Sequence, residues 1–329
     1  MAPAQWNGLL AACAQSTLFQ THGWGEFKRA AGWQVLRLHA GAADDAPAVA
    51  QVLLRRLPGG FRFAWIPGGP CFRQAVTRED AAALLRDLCA SLEATLGRLY
   101  LRCNFTFTAD AALTAAAADS LRRPASHLGS GASVLLSLPD DDARWLATLK
   151  SKHRYYVRKA GAAGLQWRYG NSDADIDAMA QLSAQMAADK AVQVATFTRD
   201  ELRRLRDLLP AQCRLLIGFE NDVPLSGCAV FCMNGQAYYA NAATVGRGRE
   251  LSAAYAMLFE LQKNLRSDGV RLLDFGGIAP NDPAARGVDH FKLGFGGTVV
   301  EYLGEWEYAS TPLHRWLGNL AVTLRKRSL

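Results

Sequence analysis

Arg271 to Gly297 reads RLLDFGGIAPNDPAARGVDHFKLGFGG. Val270, Leu272 and Leu273 form a short buried-strand pattern that ends in Asp274-Phe275-Gly276-Gly277. A polar loop rich in Pro, Asp and Ala follows. Asp289-His290-Phe291-Lys292 then opens an apolar helical turn, which Gly294, Phe295, Gly296 and Gly297 close. Glycines at the end of a strand let a ligand's backbone or phosphates approach closely. A lysine just beyond them can reach an anion or a developing negative charge. The string therefore nominates Lys292 and Phe291 as catalytic, and Asp274, Gly276 and Gly277 as substrate-binding. Taken one at a time, the same residues also fit an ordinary strand-turn-helix with a surface lysine.

Upstream of this stretch the pattern predicts a regular α/β succession. Residues 34–39, 49–57, 61–66, 99–103 and 133–138 read as strands, and 79–96 as a helix. A helix is expected from the acidic turn at Pro139-Asp140-Asp141-Asp142 to Ala163, stopping at Gly164, with Trp145, Leu149, Tyr156 and Ala160 as its apolar stripe. A strand at 165–169 and helices at 172–190 and 198–208 follow. Then comes a meander of strands at 214–219, 225–233 and 236–243, whose Asn234-Gly235 turn is a strong hairpin signal. A helix over 251–266, the strand at Val270, a strand over 298–304 and a helix over 311–327 complete the chain. This order resembles the GNAT acyltransferase fold, given twice.

The resemblance extends to a family. Phe19-Gln20-Thr21, Trp24-Gly25-Glu26-Phe27-Lys28 and Gly32-Trp33 look like the N-terminal opening of the Fem family (FemABX), the aminoacyl transferases of peptidoglycan interpeptide bridges. Ile66-Pro67-Gly68-Gly69-Pro70 resembles its Pro-x-Gly-Pro turn, and Lys150 to Gly164 its basic linker helix. Asp-Phe-Gly-Gly followed by Phe-Lys resembles its C-terminal signature. These landmarks fall in the family's order across most of the chain.

The resemblance implies two tandem GNAT-like domains with mixed sheets, α/β (α+β) in class: 1–148 with 305–329, and 149–304. The last helix would return to the first domain, and the family's coiled-coil arm would be absent. It implies transfer of an amino acid from aminoacyl-tRNA to an amine of a nucleotide- or lipid-linked muropeptide. It places Lys28 at the acceptor's pyrophosphate, with Trp24, Gly68 and Gly69 nearby, and it suggests Arg199 for substrate phosphates. The chain departs from the family where a carboxylate is usual near Leu101 to Phe105; Cys103 and Asn104 stand there, which puts a general base in doubt.

Composition is that of a basic globular chain. The chain has 329 residues, 50% hydrophobic and 20% charged, with a net charge of +7. That length holds two domains, and the charge favours an anionic partner such as RNA, a nucleotide-linked substrate or an anionic membrane. The N-terminus lacks the pattern of a signal peptide, so a cytoplasmic monomer is expected, with peripheral contact to the inner membrane surface as a further expectation. The seven cysteines are scattered and read as reduced core thiols. The six histidines show no metal-ligand spacing, and no P-loop is present, so no metal and no cofactor are expected.

Two basic features compete for the donor. Lys150, Arg154 and Arg158 recur every fourth residue and share one helix face, as a phosphate-tracking surface or a merely solvated one. Arg247 and Arg249 precede a helix in an Arg-Gly turn, where GNAT enzymes cradle the coenzyme A pyrophosphate. The second feature keeps open an acyl-CoA-dependent N-acyltransferase acting on an envelope sugar or amine. A basic tRNA- or membrane-binding adaptor is the third reading, and the complete Phe-Lys string makes it the weakest.

Overall fold

A three-stranded antiparallel meander, then a helix, then a strand parallel to the meander's last member: this succession occurs twice in the chain. The computed structural model describes residues 1–42, 45–73, 76–190, 196–279 and 285–327. Two compact units form, one from 1–131 with 301–329 and one from 132–300.

In the first unit, α1 (Pro3–Ala11) and α2 (His22–Ala30) precede β1 (Gln34–His39), β2 (Ala48–Arg56), β3 (Arg62–Pro67) and the short β4 (Cys71–Phe72). Next come α3 (Arg78–Leu96), β5 (Tyr100–Thr108) and α4 (Ala111–Ser120). β1, β2 and β3 pair antiparallel, and α3 carries the chain over to β5, which pairs parallel with β3. Thr77 starts α3 by accepting the Asp80 N–H at 3.1 Å, and Gly97 ends it at φ 72°. Ala81, Leu85, Cys89 and Leu92 recur on one face and are buried against Ile66, Leu101 and Cys103 of the sheet.

The second unit contains β6 (Ala132–Ser137), α5 (Asp142–Thr148), α6 (Ser151–Gly161), β7 (Gln166–Gly170), α7 (Asp173–Lys190) and α8 (Arg199–Leu208). β8 (Cys213–Glu220), β9 (Val223–Met233), β10 (Gln236–Thr244), α9 (Gly246–Glu250), α10 (Ala253–Ser267), β11 (Leu272–Gly277) and α11 (Arg286–Leu293) follow. β8, β9 and β10 form the expected meander. Its Asn234-Gly235 turn has φ 51° and 73°, the doubly positive pair of a tight hairpin. α10 then crosses to β11, which pairs parallel with β10 and antiparallel with β6. The chain ends in β12 (Thr298–Ala309), antiparallel to β5, and α12 (Pro312–Arg327).

Three expectations change. The helix expected to run unbroken to Ala163 divides into α5 and α6, because Leu149 and Lys150 are extended at ψ 142° and 147°. Leu149 is buried there, the Lys150 N–H goes to the Gly294 carbonyl, and Arg154 donates to the Ala147 and Leu149 carbonyls that α5 leaves unpaired. The boundary read between 148 and 149 falls between these helices, inside the second unit, since β6 pairs with β11. Finally, β12 does not stop at Gly304. That glycine has φ 73° at a register shift, and the strand continues to Ala309.

Candidate functional site

Asp274 organises the end of β11. Its carboxylate is buried, accepts the Ser133 hydroxyl from neighbouring β6, and accepts the Gly276 N–H at 2.7 Å. The pairing of β11 with β6 shifts register between Asp274 and Gly277, and Gly276 sits at φ 73°. A side chain would be strained there. The sequence Asp-Phe-Gly-Gly thus folds into a break in register where the Gly276 and Gly277 carbonyls accept a side-chain donor. Tyr238, the cross-strand partner of Asp274, has its hydroxyl pKa pushed up to about 12 by burial and by the Asp274 charge.

α11 brings Lys292 over those carbonyls. Its Nζ donates to Gly277 O at 2.6 Å and to Gly276 O at 3.3 Å. Burial pulls its pKa below that of a free lysine, against the opposing charges of Asp289 and Asp274. An ammonium has three N–H donors. Two are directed at the glycine carbonyls, so one direction suits an incoming anion. Asp289 is itself buried and accepts the Ala279 N–H at 3.1 Å, which ties α11 to the end of β11. The polar loop at 280–284 lies outside the described residues.

His153 of α6 fixes the pose of α11, and sequence reasoning passed over it. Its Nε2 bonds the Phe291 carbonyl at 3.0 Å, and its ring meets Tyr255 and Phe295 edge-on at 5.1 and 5.0 Å. Gly294 allows this contact: a Cβ there would lie 1.9–2.3 Å from three ring atoms. Burial is the first cause that lowers the His153 pKa and favours the neutral ring, and a carbonyl acceptor calls for the proton on Nε2; among the described residues the buried Nδ1 has no partner. Gly296 and Gly297 likewise admit Thr148 and Val134. No local signal in the sequence joins residue 153 to 291, because the contact spans 138 positions.

The arginines nominated for phosphates are engaged by protein groups. Arg199 pairs with Asp177, whose carboxyl pKa it lowers through a hydrogen bond. Arg247 forks onto Glu220 at 3.0 and 3.1 Å and also reaches Glu250, while Arg249 donates to Thr244 O. Arg154 caps α5, as described. Of the basic trio, Lys150 and Arg158 remain exposed.

In the first unit, Lys28 lies 4.9 Å from the Trp24 ring centroid and 5.2 Å from that of Phe27, both rings being core. Its neighbour Glu26 pairs with Arg37 at 2.9 Å, and Gly25 leaves room for Gln51 beside them. Gly68 and Gly69 are filled from within. A Cβ on Gly68 would meet Thr17 Oγ1 at 2.1 Å, and one on Gly69 would meet Gln20 at 2.9 Å. Their close approach is to the chain's own loop, which by itself accounts for a glycine at both positions.

A carboxylate lies beside Asn104 on the adjacent strand. Glu305 of β12 is the cross-strand partner of Asn104, yet it is fully engaged, accepting from Arg102 and from the Leu128 and Gly129 N–H groups. Arg102 is buried and also donates to Tyr100, whose hydroxyl donates to Glu307 at 2.7 Å. This network reads as structural, not as a base poised for proton transfer.

The seven cysteines are free, and burial pushes Cys89 and Cys213 up to about 12. Among the described residues, no cluster of three His, Cys, Asp or Glu could hold a metal ion.

Two GNAT-like units in tandem, the second carrying Asp-Phe-Gly-Gly and Phe-Lys on adjoining elements, define the class. The resemblance to the Fem family holds: residues 214–323 match the model described as FemAB family. No curated protein matches the chain in sequence. Among solved structures, the chain is similar to FemX, with 16% identity over 98% of both chains and a TM-score of 0.83. It is also similar to the C-terminal domain (DUF2156) of a putative lysylphosphatidylglycerol synthetase from Agrobacterium fabrum, with 11% identity over 98% and 95% and a TM-score of 0.60. A tandem GNAT protein from the clavulanic acid biosynthesis pathway gives 13% over 94% and 95%, with a TM-score of 0.56. At these identities the structural likeness is one of fold.

Proposed function

We propose that this chain is an aminoacyl transferase that moves an amino acid from aminoacyl-tRNA to an amine of a peptidoglycan precursor. The observation that carries this reading is Lys292, half-buried and held by two glycine carbonyls at the end of β11. The FemAB match over that region and the FemX-like fold support it.

The reaction asks for little acid-base machinery. The aminoacyl ester is already activated. The acceptor amine attacks the ester carbonyl as a neutral nucleophile, forming a C–N bond and an oxyanion. Lys292 offers a preorganised cation for that oxyanion in a partly desolvated place. Collapse breaks the C–O bond to the tRNA hydroxyl, which takes up the proton that the amine releases. Phe291 sets Lys292 through its backbone, and His153 sets Phe291. No cofactor is required beyond the donor.

The alternative, an acyl-CoA-dependent N-acyltransferase, rests on the Arg-Gly turn before α10. The engagement of Arg247 by Glu220 and Glu250 weighs against it. The deciding experiment offers purified protein charged tRNA or acyl-CoA, with nucleotide- or lipid-linked muropeptide, and weighs the acceptor. A gain of one amino-acid residue from charged tRNA supports the proposal. No gain with either acceptor, or an acyl gain from acyl-CoA alone, refutes it.

A further inference from the structure

α12 is an amphipathic helix mounted the wrong way round. A surface helix ordinarily turns its apolar stripe to the core. Here Leu313, Trp316, Leu320 and Leu324 are exposed by 60%, 61%, 39% and 56%. Their spacings of three, four and four residues keep them within one arc of the helix surface, at about 100° per residue. The opposite side faces the rest of the first unit, and it does so with a mixture of polar and apolar residues. Arg315 donates to Glu307 at 2.5 Å, Asn319 donates to Glu307 at 2.9 Å, and Val322 is buried. Gly318 lets the helix approach the Tyr100 ring; a Cβ there would fall 2.3 Å from it. The helix is therefore held by Arg315 and Asn319 on Glu307 and by Gly318 and Val322, and four large apolar groups in a row are left to water. The buried Glu307, with two donors from α12, makes that orientation specific.

We propose that this face docks the protein on an anionic phospholipid surface. Beyond the inward-facing Arg315, residues 316–329 contain Arg325, Lys326 and Arg327 and no Asp or Glu. A row of Leu and Trp with basic residues and no acidic ones is the composition that settles into the boundary between headgroups and acyl chains. The indole of Trp316 suits that boundary, having an apolar body and one N–H donor. The net charge of +7 adds a long-range attraction of the same sign. A second copy of this chain fits less well, since two such helices would oppose basic segments. No described helix is long and apolar enough to cross a membrane, so contact through α12 would be peripheral.

The test is co-sedimentation of the full chain with vesicles of phosphatidylglycerol and phosphatidylcholine, against vesicles of phosphatidylcholine alone. The variant is Trp316→Glu with Leu320→Glu, both exposed and neither in the transfer site, with circular dichroism and urea midpoint as folding controls. We expect binding to the anionic vesicles that weakens as salt shortens the Debye length, and at least about a tenfold loss in the variant. Absence of binding, equal binding by the variant, or equal binding to both vesicle types overturns the proposal. So does concentration-dependent dimerisation that the same variant abolishes, because a second copy would then cover the face. The measurement needs no transfer activity, so it stands or falls apart from the reaction proposed above.

Discussion

Gly294→Ala is the sharpest probe of how α11 is held. The backbone at Gly294 is right-handed helical, φ −75° and ψ −15°, so alanine carries no conformational penalty there. The whole effect must come from packing. The new methyl would lie 1.9 Å from His153 Cε1, 2.0 Å from Nε2 and 2.3 Å from Nδ1. The ring cannot slide away easily, since Tyr255 and Phe295 meet it edge-on at about 5 Å. It must turn, and the 3.0 Å bond to the Phe291 carbonyl is lost. Overpacking costs about 1–3 kcal/mol and an unmade buried hydrogen bond about 1 kcal/mol more, so a loss of roughly 2–4 kcal/mol is expected. Urea unfolding, followed by a probe in the second unit, measures it. The double variant with His153→Ala removes the ring that the methyl strikes. Its loss should fall short of the sum of the singles by about 1 kcal/mol or more. A Gly294→Ala protein within about 0.5 kcal/mol of the parent, or strictly additive singles, would refute the reasoning.

Lys292→Ala should lower turnover by about two to three powers of ten, the loss of one oxyanion donor, with little change in urea midpoint; near-parent turnover would remove Lys292 from the mechanism. Arg102→Met strands the buried carboxylates of Glu305 and Glu307 and should cost about 3–5 kcal/mol, measured in the first unit, whereas a change below about 1 kcal/mol would show that the pair is dispensable. His153 also sets a pH dependence. Its folded pKa lies below the ordinary 6.5, so the unfolded chain takes up the proton first as pH falls. The stability tied to the neutral ring is present above about 6.5 and is lost below it, toward the folded pKa, at no more than about 1.4 kcal/mol per pH unit. The difference in urea midpoint between the parent and His153→Gln, followed from about pH 7 to 5, should show that slope; a difference independent of pH would mean that the ring is not buried neutral.

Local chemistry fixed much of this protein before any contact across the chain was considered. The period-two runs at 34–39 and 61–66, the spacing of Leu85, Cys89 and Leu92, and the Asn234-Gly235 turn each declare an element through the backbone geometry that those residues favour. The strand ending in Asp-Phe-Gly-Gly and the helix opening with Phe-Lys were legible for the same reason, and so was the resemblance they carry. Local pattern could not see the break at Leu149 and Lys150. The residues there can all be helical, and what interrupts them is the Gly294 carbonyl, 144 positions away, taking the Lys150 N–H. Nor could it tell which charges were already committed. Arg199 and Arg247 look available in sequence, and each is paired with a carboxylate that only folding brings within reach. The glycines divide in the same way. Gly276 and Gly235 are required by backbone angles that the sequence announces, whereas Gly294 and Gly318 are required by His153 and Tyr100. The sequence by itself determined the elements, because φ and ψ preferences and periodicity are local. The tertiary structure alone decided which polar groups are paired in holding the fold, as Lys292 is with the Gly276 and Gly277 carbonyls, and which apolar groups, on the outer face of α12, stay exposed, because both depend on contacts between distant parts of the chain.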